Sequence, residues 1–520
     1  MRRRVINRLS PYQGESYLST MQSFLKKNYP LISIILIGVI IRLLFLLKYG
    51  DFWDDEMFSF IYSQKAWPEG LIYWLWETNP PLHMLILKLW FLVFPASEFW
   101  ARIPSLIFGT STIISVYFLA KLIWDKNVAL VSAFFISLHS YNIFWSATVR
   151  VYSLLMLLSS LSVYFYYKIF FTSISKNKDK IFFIITNTLL LLSHLSSVLL
   201  IFSQAMIIFA VNRNNFLKWL KINLLPFFIS ACWLIPSFLI KQNNHLEKTW
   251  LLNLRYNFRS VMGTFVNLIA GIQYTNWSFF IISAIIAVVL VISILRIKKS
   301  DIKYANLLSL IIIPIIITTL FGVWHIKLLI YTIPLWVIII SYGLIQLTNS
   351  KIIALCIIAG FCLTGISSTF AYTPLTSWSK VYEYIEKQYD EENNISLIYN
   401  SFVLRTQIDR YLNLPFNYYA LDLARESDMS WDELITKKNY LNLNFTEKQI
   451  DDWFTDNKLG EYNRIILLQG EYDYMIFLNK LLEKNNFKMK NEKIKASILG
   501  NFYLYTYAKN EQTTSTIGAE

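Results

Sequence analysis

The run LISIILIGVIIRLLFLLK at residues 31–48, followed almost at once by DFWDDE at residues 51–56, decides the class of this chain. A bilayer is crossed by about 20 apolar residues in a helix, and the first run is near that length. The carboxylates behind it are too costly to place in hydrocarbon, so they mark a membrane face. Comparable runs recur near 103–124, 128–145, 151–171, 181–193, 197–211, 217–240, 277–297, 304–323, 325–347 and 351–371. With 55% hydrophobic residues, 17% aromatic residues and a mean hydropathy of +0.42, the chain is too apolar for a soluble protein of 520 residues. The expectation is an α-helical polytopic membrane protein of about 11 transmembrane helices.

Charge sets the expected orientation. Residues 1–372 carry 31 basic and 12 acidic side chains, net +19, whereas residues 373–520 carry 17 and 22, net −5. Such a split reports membrane orientation and contact with membrane lipids, and a nucleic-acid partner is an unnecessary explanation. Arg2, Arg3, Arg4, Arg8, Lys26 and Lys27 precede the first span, so residues 1–30 are expected to be a cytoplasmic segment. No small-residue cleavage motif follows the span, which is therefore read as a signal anchor. Alternation then puts Lys121, Lys126, Arg213, Lys218 and Lys351 on the same inner side, provided that residues 82–94, too short to cross, form a juxtamembrane or re-entrant helix. The three cysteines, Cys232, Cys356 and Cys362, all lie in apolar runs and make neither a disulfide framework nor a metal motif.

Six of the 12 carboxylates of residues 1–372 (Asp51, Asp54, Asp55, Glu56, Glu69, Glu77) crowd into residues 49–82. With the orientation above, that acidic loop is on the outer side, and His83, His139, His194, His245, His325, Arg102, Arg150 and Lys327 fall at or near the outer ends of spans. Span ends are also where polar residues are cheapest, so interfacial anchoring is the competing reading for each. A further outer loop, 241–276, interleaves Lys241, His245, Lys248, Arg255 and Arg259 with Trp250, Tyr256 and Phe258, a pattern suited to a lipid headgroup or sugar and equally to an interfacial helix. Beyond residue 372 the composition changes. Helical periodicity at 378–389 and 475–485 alternates with strand-length runs at 395–399, 465–468 and 502–507. The expected result is an extracytoplasmic α/β domain over residues 373–520 with a largely parallel sheet.

An ordered set of motifs runs through residues 30–375. It comprises Trp53-Asp54-Asp55-Glu56 with Phe58 and Ser59, then Asn79-Pro80-Pro81-Leu82-His83, then Ala101-Arg102-Ile103-Pro104-Ser105-Leu106-Ile107-Phe108-Gly109 leading to Val116-Tyr117-Phe118-Leu119-Ala120. Ser146-Ala147-Thr148-Val149-Arg150-Val151-Tyr152-Ser153-Leu154 and Leu192-Ser193-His194 follow. This set resembles bacterial relatives of the dolichyl-phosphate-mannose protein mannosyltransferases, in the C-type glycosyltransferase superfamily that also includes the aminoarabinose transferases of lipid A.

The resemblance implies transfer of a sugar from a polyprenyl-phosphate-linked donor to an acceptor protein, glycan or lipid outside the cytoplasmic membrane. It places a catalytic outer loop at 49–102 within a membrane domain spanning 31–372. A phosphorylated lipid is already a good leaving group, so such an enzyme needs a base for the acceptor and cationic or dipolar groups for the departing phosphate. By position in the motif Asp55 is the expected base, in a single displacement with inversion, and Glu56 its neighbour, holding geometry or raising proton affinity by like-charge repulsion. Asp54, where relatives carry a small residue, remains a second base candidate. Arg102, Arg150, His325 and Lys327 are candidates for the phosphate, with His83 and His194 lining the pocket. An arginine that relatives carry near His325-Ile326-Lys327 is missing here, leaving Lys327 or His325 to stand in as a compact charge or donor. Asp51, Asp54 and Asp55 lack the glycine and distal glutamate of a calcium loop, so no metal and no cofactor is expected. The alternative readings are a transporter or flippase for lipid-linked sugars, disfavoured by spans nearly free of charge at mid-membrane, and a non-catalytic scaffold presenting the outer domain.

Overall fold

The computed structural model describes residues 11–77, 79–241, 258–271, 288, 302–371, 378–391, 394–399, 410–411, 417–420, 447–469, 475–495 and 503–509. It opens with a long helix, α1 (Pro11–Lys48), which runs well ahead of the apolar stretch that defines the span. The acidic segment then folds as three short helices, α2 (Asp54–Gln64), α3 (Glu69–Trp76) and α4 (Leu82–Trp90). At nine residues α4 is too short to cross a bilayer. Helix α5 (Glu98–Ile123) returns through the membrane, followed by α6 (Lys126–Leu138) and α7 (Ser140–Ser146), bent by 58° at His139. The helices α8 (Tyr152–Phe170), α9 (Asn177–Leu191), α10 (Ser197–Val211), α11 (Arg213–Lys241), α12 (Phe258–Ala270) and α13 (Ile302–Leu320) follow. Two turns of 3-10 helix, Ile326–Leu328 and Ile330–Thr332, lead into α14 (Ile333–Thr348) and then α15 (Lys351–Ala371).

Among the described residues six helices are long and apolar enough to cross a membrane, or seven with the bent α6–α7 pair. Ser197–Val211 and Lys351–Ser367 are shorter apolar helices, and the expected span at 277–297 lies outside the described residues apart from residue 288. Helix α14 is buried on all sides, Ile333 to Ile340 without interruption, which makes it the centre of the bundle. By contrast α11 exposes Leu224, Phe228, Phe238 and Leu239, apolar surface suited to contact with lipid. Among the described residues, the expectation of spans nearly free of charge at mid-membrane meets an exception in Arg42 of α1, which is fully buried.

The C-terminal part contains α16 (Trp378–Glu391), α17 (Glu447–Asp456) and α18 (Met475–Lys484) with β1 (Ile395–Tyr399), β2 (Asn417–Ala420), β3 (Arg464–Gln469), β4 (Phe487–Lys495) and β5 (Tyr503–Lys509). The strands form one sheet of order β2-β1-β3-β5-β4. β2, β1 and β3 are parallel, but β5 and β4 add antiparallel, so the sheet is mixed where a largely parallel one was expected. The difference lies in β4, whose lysine-rich FKMKNEKIK is the polar composition of a guarded edge strand and escapes a search for apolar runs. Ile465, Ile466 and Leu467 of the central β3 are fully buried.

A contact joins this part to the acidic segment. Arg410 Nε donates to Glu98 Oε1 at 2.9 Å, and the Tyr411 hydroxyl donates to the same oxygen at 3.1 Å while accepting from the backbone N–H of Phe52 at 3.0 Å. Residue 411 therefore lies on the membrane face that carries residues 51–56. In a background free of the three native cysteines, single cysteines at Glu69 and at Lys484 are expected to react with a membrane-impermeant maleimide from the same side of sealed vesicles. Labelling from opposite sides would contradict the contact.

Candidate active site

Helix α2 begins with three carboxylates, Asp54, Asp55 and Glu56, in its first turn, where the unpaired N–H groups and the helix dipole favour negative charge. Successive helical residues point about 100° apart, so Asp55 and Glu56 meet different partners. Glu56 turns inward and is completely buried. Its Oε1 accepts from Arg102 Nε at 3.1 Å and from the Val149 backbone N–H at 2.8 Å; Oε2 accepts from Arg102 Nη2 at 3.0 Å and from the Trp53 backbone N–H at 3.4 Å. The Arg102 guanidinium lies over the rings of Tyr49 and Phe52. The phosphate role expected of Arg102 is accordingly not open to it: its side chain is 3% exposed and committed to Glu56.

Asp55 turns the other way, its side chain one-third exposed (33%). Lys327 Nζ donates to Asp55 Oδ2 at 3.0 Å, and Arg150 Nε stands 3.8 Å from the same oxygen. Arg150 is itself held by the Asp55 carbonyl at 3.1 Å and the Ser59 hydroxyl at 3.0 Å, with Glu77 Oε1 3.8 Å away, and it hydrogen-bonds Tyr152. Lys327 lies near the faces of Trp53 and Tyr152. Burial opposes ionisation of Asp55, but Arg150, Lys327 and then His325 together outweigh it and hold the carboxyl below the ordinary aspartate range. The rise in proton affinity expected from like charge on Glu56 is thus absent, because Glu56 faces its own arginine.

The histidines are neutral parts of this site. Burial, with Arg150 close by, lowers His83 to about 3, and burial with Arg150 and Lys327 lowers His194 to about 3. Burial and Lys327 lower His325 to about 4 against the pull of Asp55. His194 Nδ1 accepts from the Ser196 N–H at 3.1 Å and His325 Nδ1 from the Lys327 N–H at 3.2 Å, which leaves Nε2 as the N–H donor of each ring. His194 packs against Tyr152, and Leu82 N–H bonds Leu192 O at 3.0 Å, tying the His83 helix to the His194 turn. His83 Nε2 is buried without a partner among the described residues.

Of the residues singled out from the sequence, Asp55, Arg150, Lys327 and His325 come together as one cluster, with His83 and His194 near enough to sense its charges. Arg102 and Glu56 form a separate pair behind it. The Asp54 side chain and those of the basic and aromatic loop 241–259 lie outside the described residues, and His139 sits buried at the α6–α7 bend. No group of three metal-binding side chains occurs among the described residues. Ser59, Glu77 and Tyr152 stand in the quoted motifs and acidic segment, but the sequence assigned none of them a role at the site. Ser59 stood in view as the residue one helical turn after Asp55; nothing in the sequence marks Glu77 as a partner of Arg150.

Residues 78–240 match the family Dolichyl-phosphate-mannose-protein mannosyltransferase, under a third of the chain. No curated protein matches the chain. The fold is similar to that of ArnT from Cupriavidus metallidurans bound to undecaprenyl phosphate, at 10% identity and a TM-score of 0.57 over 95% of this chain and 100% of that one. It is also similar to the Archaeoglobus fulgidus oligosaccharyltransferase tethered with an acceptor peptide, at 11% identity and a TM-score of 0.51 over 85% of this chain and 69% of that one. The chain thus shares its fold with these two transferases, and its residues 78–240 resemble the mannosyltransferase family.

Removing one member of a buried ion pair leaves the other charged and unpartnered, at a cost of about 3–5 kcal/mol. Glu56→Gln is expected to lower thermal stability in detergent by an amount of that order, and the double change Glu56→Gln with Arg102→Met to recover most of it. Equal stability of the wild type and Glu56→Gln would show that the pair holds nothing.

Proposed function

We propose that this chain is a membrane glycosyltransferase that moves a sugar from a polyprenyl-phosphate-linked donor to an acceptor protein, glycan or lipid at the outer face of the cytoplasmic membrane, with inversion at the anomeric carbon. The observation that carries the reading is Asp55: one ionised, partly exposed carboxylate set against Lys327 and Arg150, on the face of a C-type glycosyltransferase fold where the acidic helix turn begins. ArnT with bound undecaprenyl phosphate supports the donor class and the mannosyltransferase segment supports the reaction. The proposed organisation is a cytoplasmic segment at 1–30, a transferase domain at 31–372 and an extracytoplasmic α/β domain at 373–520.

The geometry suggests how the parts divide the work. In the free protein Lys327 and Arg150 are spent on Asp55. An arriving phosphodiester brings them a competing anion whose charge grows from one to two as the sugar leaves, and as they turn to it Asp55 loses its stabilising cations and becomes a better base. The acceptor hydroxyl gives its proton to Asp55 as its oxygen attacks the anomeric carbon; the carbon–oxygen bond to the phosphate breaks and the charge collects on phosphate oxygens facing Arg150 and Lys327. The Nε2–H of His325 and of His194 are dipolar donors that add no charge. Asp55 acts as base, Glu56 and Arg102 hold its helix turn in place, and a single displacement needs no second carboxylate. The transporter reading gains nothing from Arg42, whose donors are all bound to protein acceptors.

With purified protein in nanodiscs and a polyprenyl-phosphate sugar, Asp55→Asn is expected to lose about 10²-fold or more in transfer while keeping donor binding and stability. Full transfer by this variant eliminates Asp55 as base. The pH dependence carries a sign as well. A depressed carboxylate pKa keeps the base form present above it and loses it only as pH falls through it, so the acid limb of kcat/KM, which reads the free protein, should lie below the ordinary aspartate value of 3.8. The acid limb of kcat should lie higher, because in the complex the cations are shared with phosphate. A kcat limb at or below that of kcat/KM argues against the exchange.

A further inference from the structure

The strongest unexplained feature is the guanidinium of Arg42, wholly buried in the first span with no carboxylate paired to it among the described residues. All five of its N–H donors are used. Nη1 donates to Gly38 O at 2.9 Å and Ser137 O at 2.9 Å; Nη2 donates to Ile136 O at 3.3 Å and to Asn142 Oδ1; Nε donates to Ser146 Oγ at 3.2 Å. The acceptors straddle the break between α6 and α7. Ile136 and Ser137 carry carbonyls of the last turn of α6, which the bend leaves without helical partners, and inside a membrane no water is at hand to satisfy them. Asn142 and Ser146 belong to α7. One rigid fork therefore binds both arms of the bend, and the negative end of the α6 dipole offsets its charge.

The bend leads straight to the cluster around Asp55. Three residues past Ser146, Val149 N–H holds Glu56, and the next residue is Arg150. A second helix presses on the same spot from the far side: a Cβ at Gly109 of α5 would stand 1.9 Å from Ser146 Oγ and 2.8 Å from its Cβ. The backbone of α5 approaches α7 that closely only because residue 109 has no side chain.

We infer that Arg42 is a positioning residue: by clamping the α6–α7 bend it sets where the 147–151 turn presents Arg150 to Asp55. The inference rests on the proposed role of Asp55. It touches neither substrate nor reacting atoms, since no donor of Arg42 is left for a ligand. The groups that face Asp55 are Arg150 from that turn, Lys327 and His325 from the stretch before α14, and Tyr152 at the start of α8, with Glu77 reached through Arg150; Arg42 acts on the first of these alone.

Three variants test this in the full-length protein in nanodiscs: Arg42→Lys, which keeps the charge but loses the fork; Gly109→Ala, which leaves the guanidinium intact and displaces α7; and Ser146→Ala, which removes one acceptor. Folding is checked by thermal unfolding, and transfer from a polyprenyl-phosphate sugar is followed against pH. A displacement of about 1 Å at a reacting group costs up to ~10²-fold, so each folded variant of Arg42 and Gly109 is expected to lose about 10-fold or more in kcat/KM, and Ser146→Ala less. In every folded variant the acid limb of kcat/KM should move upward, as Arg150 draws away and Asp55 holds its proton more tightly. A folded variant with lowered activity and an unmoved acid limb overturns the inference, as does one with wild-type kinetics. Should Arg42→Lys fail to fold, Gly109→Ala and Ser146→Ala are read by the same criterion. Failure of the underlying reading is distinct, because it appears as transfer surviving in Asp55→Asn.

Discussion

The bidentate pair of Glu56 and Arg102 is the interaction on which the acidic face of this protein depends. Neither charge is tolerable alone at such depth, and each is supportable because the other, together with the N–H groups of Val149 and Trp53, satisfies it. Three separate pieces of chain meet there: the first turn of α2, the N-terminal end of α5 and the turn before α8. Because Glu56 is fixed inward, its neighbour Asp55 has no choice but to face outward, and two adjacent acidic residues acquire opposite environments. One becomes a structural anion sealed from water; the other stays partly exposed within reach of a ligand.

Electrostatics around Asp55 follow from how unequally burial treats the basic residue types. An imidazole gives up its proton when desolvated beside other cations, so His83, His194 and His325 are neutral, whereas Arg150 and Lys327 keep their charge by pairing with carboxylates. Only two of the five basic candidates outside the Glu56 pair are therefore cations, and both are bound to the proposed base. In the reading offered here, that mutual neutralisation is a resting state which an anionic donor undoes.

The contact of Arg410 and Tyr411 with Glu98 and Phe52 brings the C-terminal part of the chain to the same face. Tyr411 packs with Phe52, Phe60, Leu87, Ala101 and Val149, so an apolar cluster under the acidic turn draws on residues more than 300 positions apart. The same face is reached from within the membrane by Arg42, through the bend at His139. Support for the site thus comes from two directions, one along the surface and one through the bundle.

What the sequence determined by itself follows from short-range physics. Span-length apolar runs, clustered carboxylates at a helix start and the change of composition after residue 372 are all local, and each survives in the fold as a membrane helix, the α2 turn and a sheet with helices. The ordered motifs added the fold family, and with it Asp55 and Arg150 as candidates, whereas Lys327 stood only as a substitute for a missing arginine. What only the tertiary structure decided are the pairings: that Arg102 serves Glu56 and is lost to phosphate, that the histidines are neutral, that Glu77 and Ser59 brace Arg150, and that Arg42 is fully consumed by a helix bend about 100 residues away in sequence. Periodicity tells which face a side chain occupies but not which distant group meets it. For buried charges the residue type and the partner together set protonation and role.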